Sequence, residues 1–171
     1  NNDTQLSGLN SSGILVHTLN STFTIVNSII WDNVINFDDS DGGTLNISYS
    51  DIEGGESGVL LSDNNTGTLN WGDGNLNINP IFTDSENSDY SLSPYSQLIA
   101  SGTILGYPLT DLNGDLRPNP PFSNPDLGAY ETSRGSTISQ TIYYVSAEDG
   151  SLNGSGSLSH PQLKIQHAIS I

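Results

Sequence analysis

The feature that most constrains this chain is a repeat. Gly43-Thr44-Leu45-Asn46 returns 24 residues later as Gly67-Thr68-Leu69-Asn70, and Ile25-Val26-Asn27-Ser28-Ile29-Ile30 aligns with Ile47-Ser48-Tyr49-Ser50-Asp51-Ile52 at a spacing of 22. Each unit alternates apolar and polar residues over a few positions and closes in a turn, Trp31-Asp32-Asn33 in one and Ile52-Glu53-Gly54-Gly55 in the other. A unit of that length is too short for a strand–helix–strand crossover, which takes about 30 residues, and suits one circuit of a β-solenoid. Stacked circuits would set Ile25 beside Ile47 and Leu45 beside Leu69, and Asn27 could then start an inward ladder of side chains. A β-sandwich has similar strand spacing. The two folds differ in whether Ile25 and Ile47 share a sheet.

Charge and composition narrow the class further. Three Lys and Arg against 19 Asp and Glu give a net charge of -16, which argues against nucleic acid or an anionic membrane surface as a partner. A chain so acidic risks disorder, but Leu, Ile, Val and Phe make up about a quarter of it and are clustered in short runs, above the roughly 20% at which disorder is the default. No cysteine is present, so neither a disulfide framework nor a thiolate metal site is available. No apolar run reaches the 18 or so residues a membrane span needs. We expect a folded, acidic, β-rich piece of a much longer secreted polypeptide.

From Gly74 the repeat gives way to short extended pieces joined by turn residues. Five motifs follow one another: Asn46-Ile-Ser-Tyr-Ser-Asp-Ile-Glu-Gly-Gly55, Asn79-Pro-Ile-Phe-Thr-Asp84, Tyr90-Ser-Leu-Ser-Pro-Tyr-Ser96, Asp111-Leu-Asn-Gly-Asp-Leu-Arg-Pro118 and Gly128-Ala-Tyr-Glu131. In this order they resemble the choice-of-anchor Q domain of bacterial surface proteins, over residues 20–131. The run Ser96-Gln97-Leu98-Ile99-Ala100 departs from that pattern by lacking a carboxylate. The resemblance implies an all-β fold: the C-terminal coils of a right-handed parallel β-helix with an irregular closing region, spanning residues 1–131.

Residues 132–140 then read as a polar linker. Residues 141–171 combine a β-prone run around Tyr143 and Tyr144, a Gly- and Ser-rich loop, and a helix starting near Ser159 or His160 with Pro161 in its first turn. This tail resembles the N-terminal entry of a second, pectate-lyase-like β-helix, where a short helix caps the open end. The expected helix would present Leu163, Ile165 and Ile169, apolar surface that needs a partner. With Tyr143 and Tyr144 these are the candidate assembly residues, meeting an adjacent β-helix domain or a neighbouring copy head-to-tail. A head-to-tail contact that does not close propagates a filament.

Candidate chemistry is sparse. Lyases of the resembled class use a basic side chain beside carboxylate-bound calcium, but Arg117, Arg134 and Lys164 fall in a turn, the linker and the cap helix rather than on a repeat strand. Inverting glycosidases need two carboxylates with room for water. Asp38, Asp39, Asp41 and Asp51 form the one acidic cluster, and Gly42-Gly43 mark its loop as a solvated turn or a calcium loop. Asp111, Asn113 and Asp115 set oxygen ligands at alternating positions, as a calcium loop does. An Asx–Gly turn has the same spacing with no ion, so both readings stay open. Arg117 is expected to tie the Asp111–Asp115 turn to Asp126 or Glu131 through its planar fork. His17, His160 and His167 are scattered. Trp31, Trp71, Tyr49 and Tyr95 are candidates for stacking on sugar rings where they share a face, and for packing at corners where they do not. The expectation is a non-catalytic structural or adhesive segment at a bacterial cell surface, without a cofactor unless calcium binds. A fragment of a β-helix lyase or hydrolase, and a carbohydrate-binding module, are the alternatives.

Overall fold

The computed structural model describes residues 13–18, 20–138 and 146–148. The chain divides into two compact units, Asn1–Ile138 and Ser139–Ile171. Within the first, ten strands run in order: β1 (Gly13–Val16), β2 (Thr22–Val26), β3 (Ile29–Ile30), β4 (Val34–Phe37), β5 (Thr44–Ser48), β6 (Asp51–Ile52), β7 (Val59–Leu61), β8 (Thr68–Trp71), β9 (Phe82–Asp84) and β10 (Asp89–Leu92). The described helical structure is limited to the short 3-10 turns Gly55–Gly58 and Ser85–Asn87.

Strands β1, β4 and β7 form one parallel sheet, β2, β5 and β8 a second, and β3 and β6 a third. Parallel neighbours need a crossover of a dozen or more residues. Here the crossover from β1 to β4 is β2 and β3 themselves, so the chain visits the three sheets in turn and comes back one step along. The register follows the repeat. Ile25 pairs with Ile47 and Ile47 with Trp71, while Phe23, Leu45 and Leu69 form the adjoining column. Ile25 and Ile47 share a sheet, as stacking requires and a sandwich with separate sheets does not.

Alternation along the strands puts every second side chain inside. Ile35 and Phe37 on β4, and Leu45 and Ile47 on β5, are fully buried because each is covered by a strand on both sides. They form the centre of a core completed by Val16, Ile25, Ile30, Ile52 and Val59. The chain turns between the second and third sheets at a left-handed residue each time, Asn27 (φ 51°), Tyr49 (φ 44°) and Gly74 (φ 73°). Gly74 lies so close under the Tyr49 ring that a Cβ there would stand 2.5 Å from it.

Polar side chains serve these corners. The Ser50 hydroxyl accepts the Ser28 amide at 3.2 Å, and Asn75 Oδ1 accepts the Ser50 amide at 3.1 Å. Asn65 and Asn77 cap the amides of Asp39 and Gly54 in the same way. Backbone donors that the corners remove from the sheets are thereby satisfied. The expected ladder at Asn27 does not form: its register partner is Tyr49, and its amide instead binds both backbone groups of Thr103, at 2.8 and 2.7 Å. An asparagine pair does stack, but on the exposed face, where Asn70 donates to Asn46 at 2.9 Å.

Residues 79–138 make a second core of Leu92, Leu98, Ile99 and Leu127, packed on Ile29, Leu76 and Ile78. The antiparallel pair β9–β10 belongs to this region. It docks beside β3, where Gly128 donates to the Asn27 carbonyl at 3.0 Å. The first unit runs past residue 131, because the Ile138 amide donates to the Pro94 carbonyl at 2.9 Å and so holds part of the expected linker. The expected cap helix and assembly residues Tyr143, Tyr144, Leu163, Ile165 and Ile169 lie outside the described residues, as do Lys164, His160 and His167. Among the described residues no helix is long and apolar enough to cross a membrane.

Candidate functional site

The structure brings Arg117, Asp126 and Glu131 together as a buried clamp. Arg117 Nε donates to Glu131 Oε2 at 2.7 Å, with both side chains almost fully enclosed. A second guanidinium nitrogen donates to the Asp126 carbonyl at 2.6 Å. Glu131 Oε1 accepts the Asn119 amide at 2.9 Å. The Asp126 carboxylate bridges chain segments, taking the Ala100 amide on one oxygen and the Thr132 amide on the other, both at 2.7 Å. Burial pushes the carboxyls of Asp126 and Glu131 above their ordinary range, against the pull of these amides and of Arg117. Both are spent on holding the backbone.

Asp111 faces the same clamp. Its Oδ1 accepts the amides of Asn113 and Asp115 at 2.8 and 2.9 Å, and its Oδ2 accepts the Glu131 amide at 2.9 Å. Burial pushes this carboxyl up, but the amides of Glu131, Asp115, Asn113 and Gly114 outweigh it and hold it below the usual range. Asn113 and Asp115 are exposed. The loop is thus ordered by an Asx turn whose negative centre is surrounded by N–H groups, an arrangement that needs no cation.

A different cluster has the spacing a cation needs. Ligand atoms of His17, Asp39 and Asp41 lie within 4.8 Å of one another. In the sequence His17 is one of three scattered histidines. The pairing of Val16 with Phe37 places it here, since it sets residues 17 and 18 next to 38 and 39, and the repeat visible in the sequence does not reach back to β1. Asp39 is fully buried and already engaged: one oxygen accepts the Thr18 hydroxyl and the other the Asp41 amide at 2.8 Å. Asp38 binds the Ser62 hydroxyl at 2.7 Å. These carboxylates brace the turns that follow β1, β4 and β7.

Asp51 stands apart from the cluster it was grouped with. It is fully buried on β6, with Oδ1 accepting the Ile78 amide at 3.0 Å and Oδ2 without a partner. Burial raises its carboxyl above the ordinary 3.8, partly offset by the Ile78 bond. A carboxyl raised by folding contributes most when protonated: the contribution is full below the unfolded value and is lost as pH rises through the folded one. Asp51→Asn, which cannot ionise, should therefore be more stable than the parent at pH 7 and no different below pH 3.8. Urea midpoints at the two pH values measure this, and a variant weaker than the parent at pH 7 would refute it.

Two concavities open between the repeat strands and the closing region. One, of about 550 Å³, lies over Asn27 and Ile29 beside Asp111 and Arg117, whose polar groups are already bonded. The other, of about 660 Å³, is lined by Trp31, Phe82, Tyr90 and Tyr130 together with Asp32, Asn33 and Glu86. Of the four aromatics singled out in the sequence only Trp31 lines it. Trp71 packs on the first core, Tyr49 on Gly74, and Tyr95 is exposed. Phe82 and Tyr90 meet edge to face with ring centres 5.4 Å apart. Tyr90 and Tyr130 were not legible as partners of Trp31 because the closing region carries no repeat to set its register. No protein-family model, curated protein or solved structure matches this chain.

Proposed function

We propose that the chain is a non-catalytic structural or adhesive segment of a large secreted bacterial surface protein, built as right-handed parallel β-helix coils with a closing region of the choice-of-anchor Q type. The observation that carries this reading is the in-register return of one strand to each of three parallel sheets, Ile14–Ile35–Val59, Phe23–Leu45–Leu69 and Ile30–Ile52. Such stacking extends in one dimension, which suits a stalk or matrix element. The use of the acids supports it as well: Asp39, Asp111, Asp126 and Glu131 all accept backbone amides and fix the architecture. The Asp111 loop works without calcium on this reading. The partner is an adjacent β-helix or a further copy, and the extracellular setting follows from the resemblance to bacterial surface domains.

The test is product release from pectin, alginate and xylan by reducing-end assay, with and without added calcium. No turnover is expected at micromolar protein. Turnover lost on Asp51→Ala, or on joint replacement of Asp38 and Asp39, would replace this reading with an enzymatic one.

A further inference from the structure

The groove lined by Trp31, Tyr90 and Tyr130 has the chemistry of a ligand site, and we propose that it binds a neutral oligosaccharide. The proposal is independent of whether the fold serves as a stalk or a matrix element. Binding sites are concave, about 300–1,000 Å³, mostly apolar, and carry a few placed polar groups. This groove has about 660 Å³ and aromatic walls contributed by both parts of the unit, Trp31 from the repeat and Tyr90 and Tyr130 from the closing region. Its floor is tight: a Cβ at Gly128 would stand 2.8 Å from Ile29 Cδ1. The cleft is therefore held by close packing between its two walls.

Polar groups at the rim are free to act on a ligand. The carboxylates of Asp32 and Glu86 and the phenols of Tyr90 and Tyr130 have no partner among the described residues, unlike the acids of the clamp. Asp32 is held at φ 55°, with its amide bonded to Glu53 Oε2 at 2.9 Å, so a left-handed backbone fixes it at the rim. Flat aromatic faces beside hydrogen-bond acceptors suit pyranose rings, whose C–H faces stack while their hydroxyls donate. Charge selects among glycans. Among the described residues no Lys or Arg lines the groove, and the chain carries -16 overall, so a uronate polymer meets repulsion with nothing there to pair its carboxylates. A neutral chain meets none.

Affinity electrophoresis in gels containing barley β-glucan, xylan or galactomannan, with alginate and chitosan gels for comparison, tests the site. At least one neutral polymer should retard the full chain, and alginate should not. Trp31→Ala should weaken retardation about tenfold or more, and Ala129→Gln, which fills an exposed lining position without removing a ring, should do the same. Trp71→Phe, away from the groove, should leave it unchanged. Circular dichroism and urea midpoints identify any variant that fails to fold, and Ala129→Gln then decides. The site is disproved if no neutral polymer retards the chain, if folded Trp31→Ala and Ala129→Gln bind as the parent does, or if only alginate or only chitosan binds. Retardation without product release supports the site and leaves the non-catalytic reading standing. Product release overturns that reading alone.

Discussion

Arg117→Ala should cost about 3–5 kcal/mol, on the order of 10 °C in Tm for a chain of this length. The guanidinium is buried, and its two bonds go to Glu131 Oε2 and the Asp126 carbonyl. Removing it leaves a carboxylate with 0% side-chain exposure facing the charge of Asp126 with no counter-ion. The single truncation is costly because the remaining charge cannot reach water, whatever the net contribution of the intact pair. Arg117→Lys should recover only part of the loss, since a point charge cannot make the two diverging bonds of the fork. Urea denaturation followed by near-ultraviolet circular dichroism measures all three proteins. A loss under about 1 kcal/mol for the alanine variant would mean that the clamp is not what closes the domain.

The second large effect lies at the centre of the repeat. Phe37→Ala should destabilise the protein by about 3–5 kcal/mol, the usual cost of a cavity where a buried ring stood. Phe37 is fully buried on β4, in register between Val16 and Leu61. Its ring tip also lies against Gly67, where a Cβ would stand 2.6 Å away. The damage should therefore spread to the next circuit, seen as faster amide exchange at residues 62–71, whose Ser62 amide donates to the Phe37 carbonyl at 3.2 Å. Phe23→Ala is the comparison: that residue is 48% exposed on a strand with one neighbour among the described residues and should cost less than about 1 kcal/mol. Equal losses at Phe23 and Phe37 would contradict the register.

The parts of this fold legible in the sequence are those governed by period. Spacings of 22 and 24 located Ile25 on Ile47 and Leu45 on Leu69 because stacking neighbours must have the same environment. The corners were less legible, since a left-handed turn is filled by Asn27, Tyr49 and Gly74, and tyrosine gives no hint of positive φ. The clamp was legible for a different reason: Arg117 is one of three cations in an acidic chain, and Asp126 and Glu131 lie only 9 and 14 residues after it. The groove was not, because Tyr90 and Tyr130 come to line one concavity with Trp31 through docking of a non-repeating segment, and neither period nor turn chemistry encodes that.

The shared register has a consequence for how such a chain can change length. A strand side chain that faces inward has outward neighbours on either side, so adding or losing one residue within β4 would carry Ile35 and Phe37 into water together. Adding a whole circuit preserves every inward column and offers the next circuit the same surface it had before. Corners escape this restriction, which is why the step from Ile35 to Val59 is longer than the step from Ile14 to Ile35 while the strands stay aligned. Length in this part of the molecule is quantised, with one strand added to each parallel sheet as its unit and the corners as its tolerance.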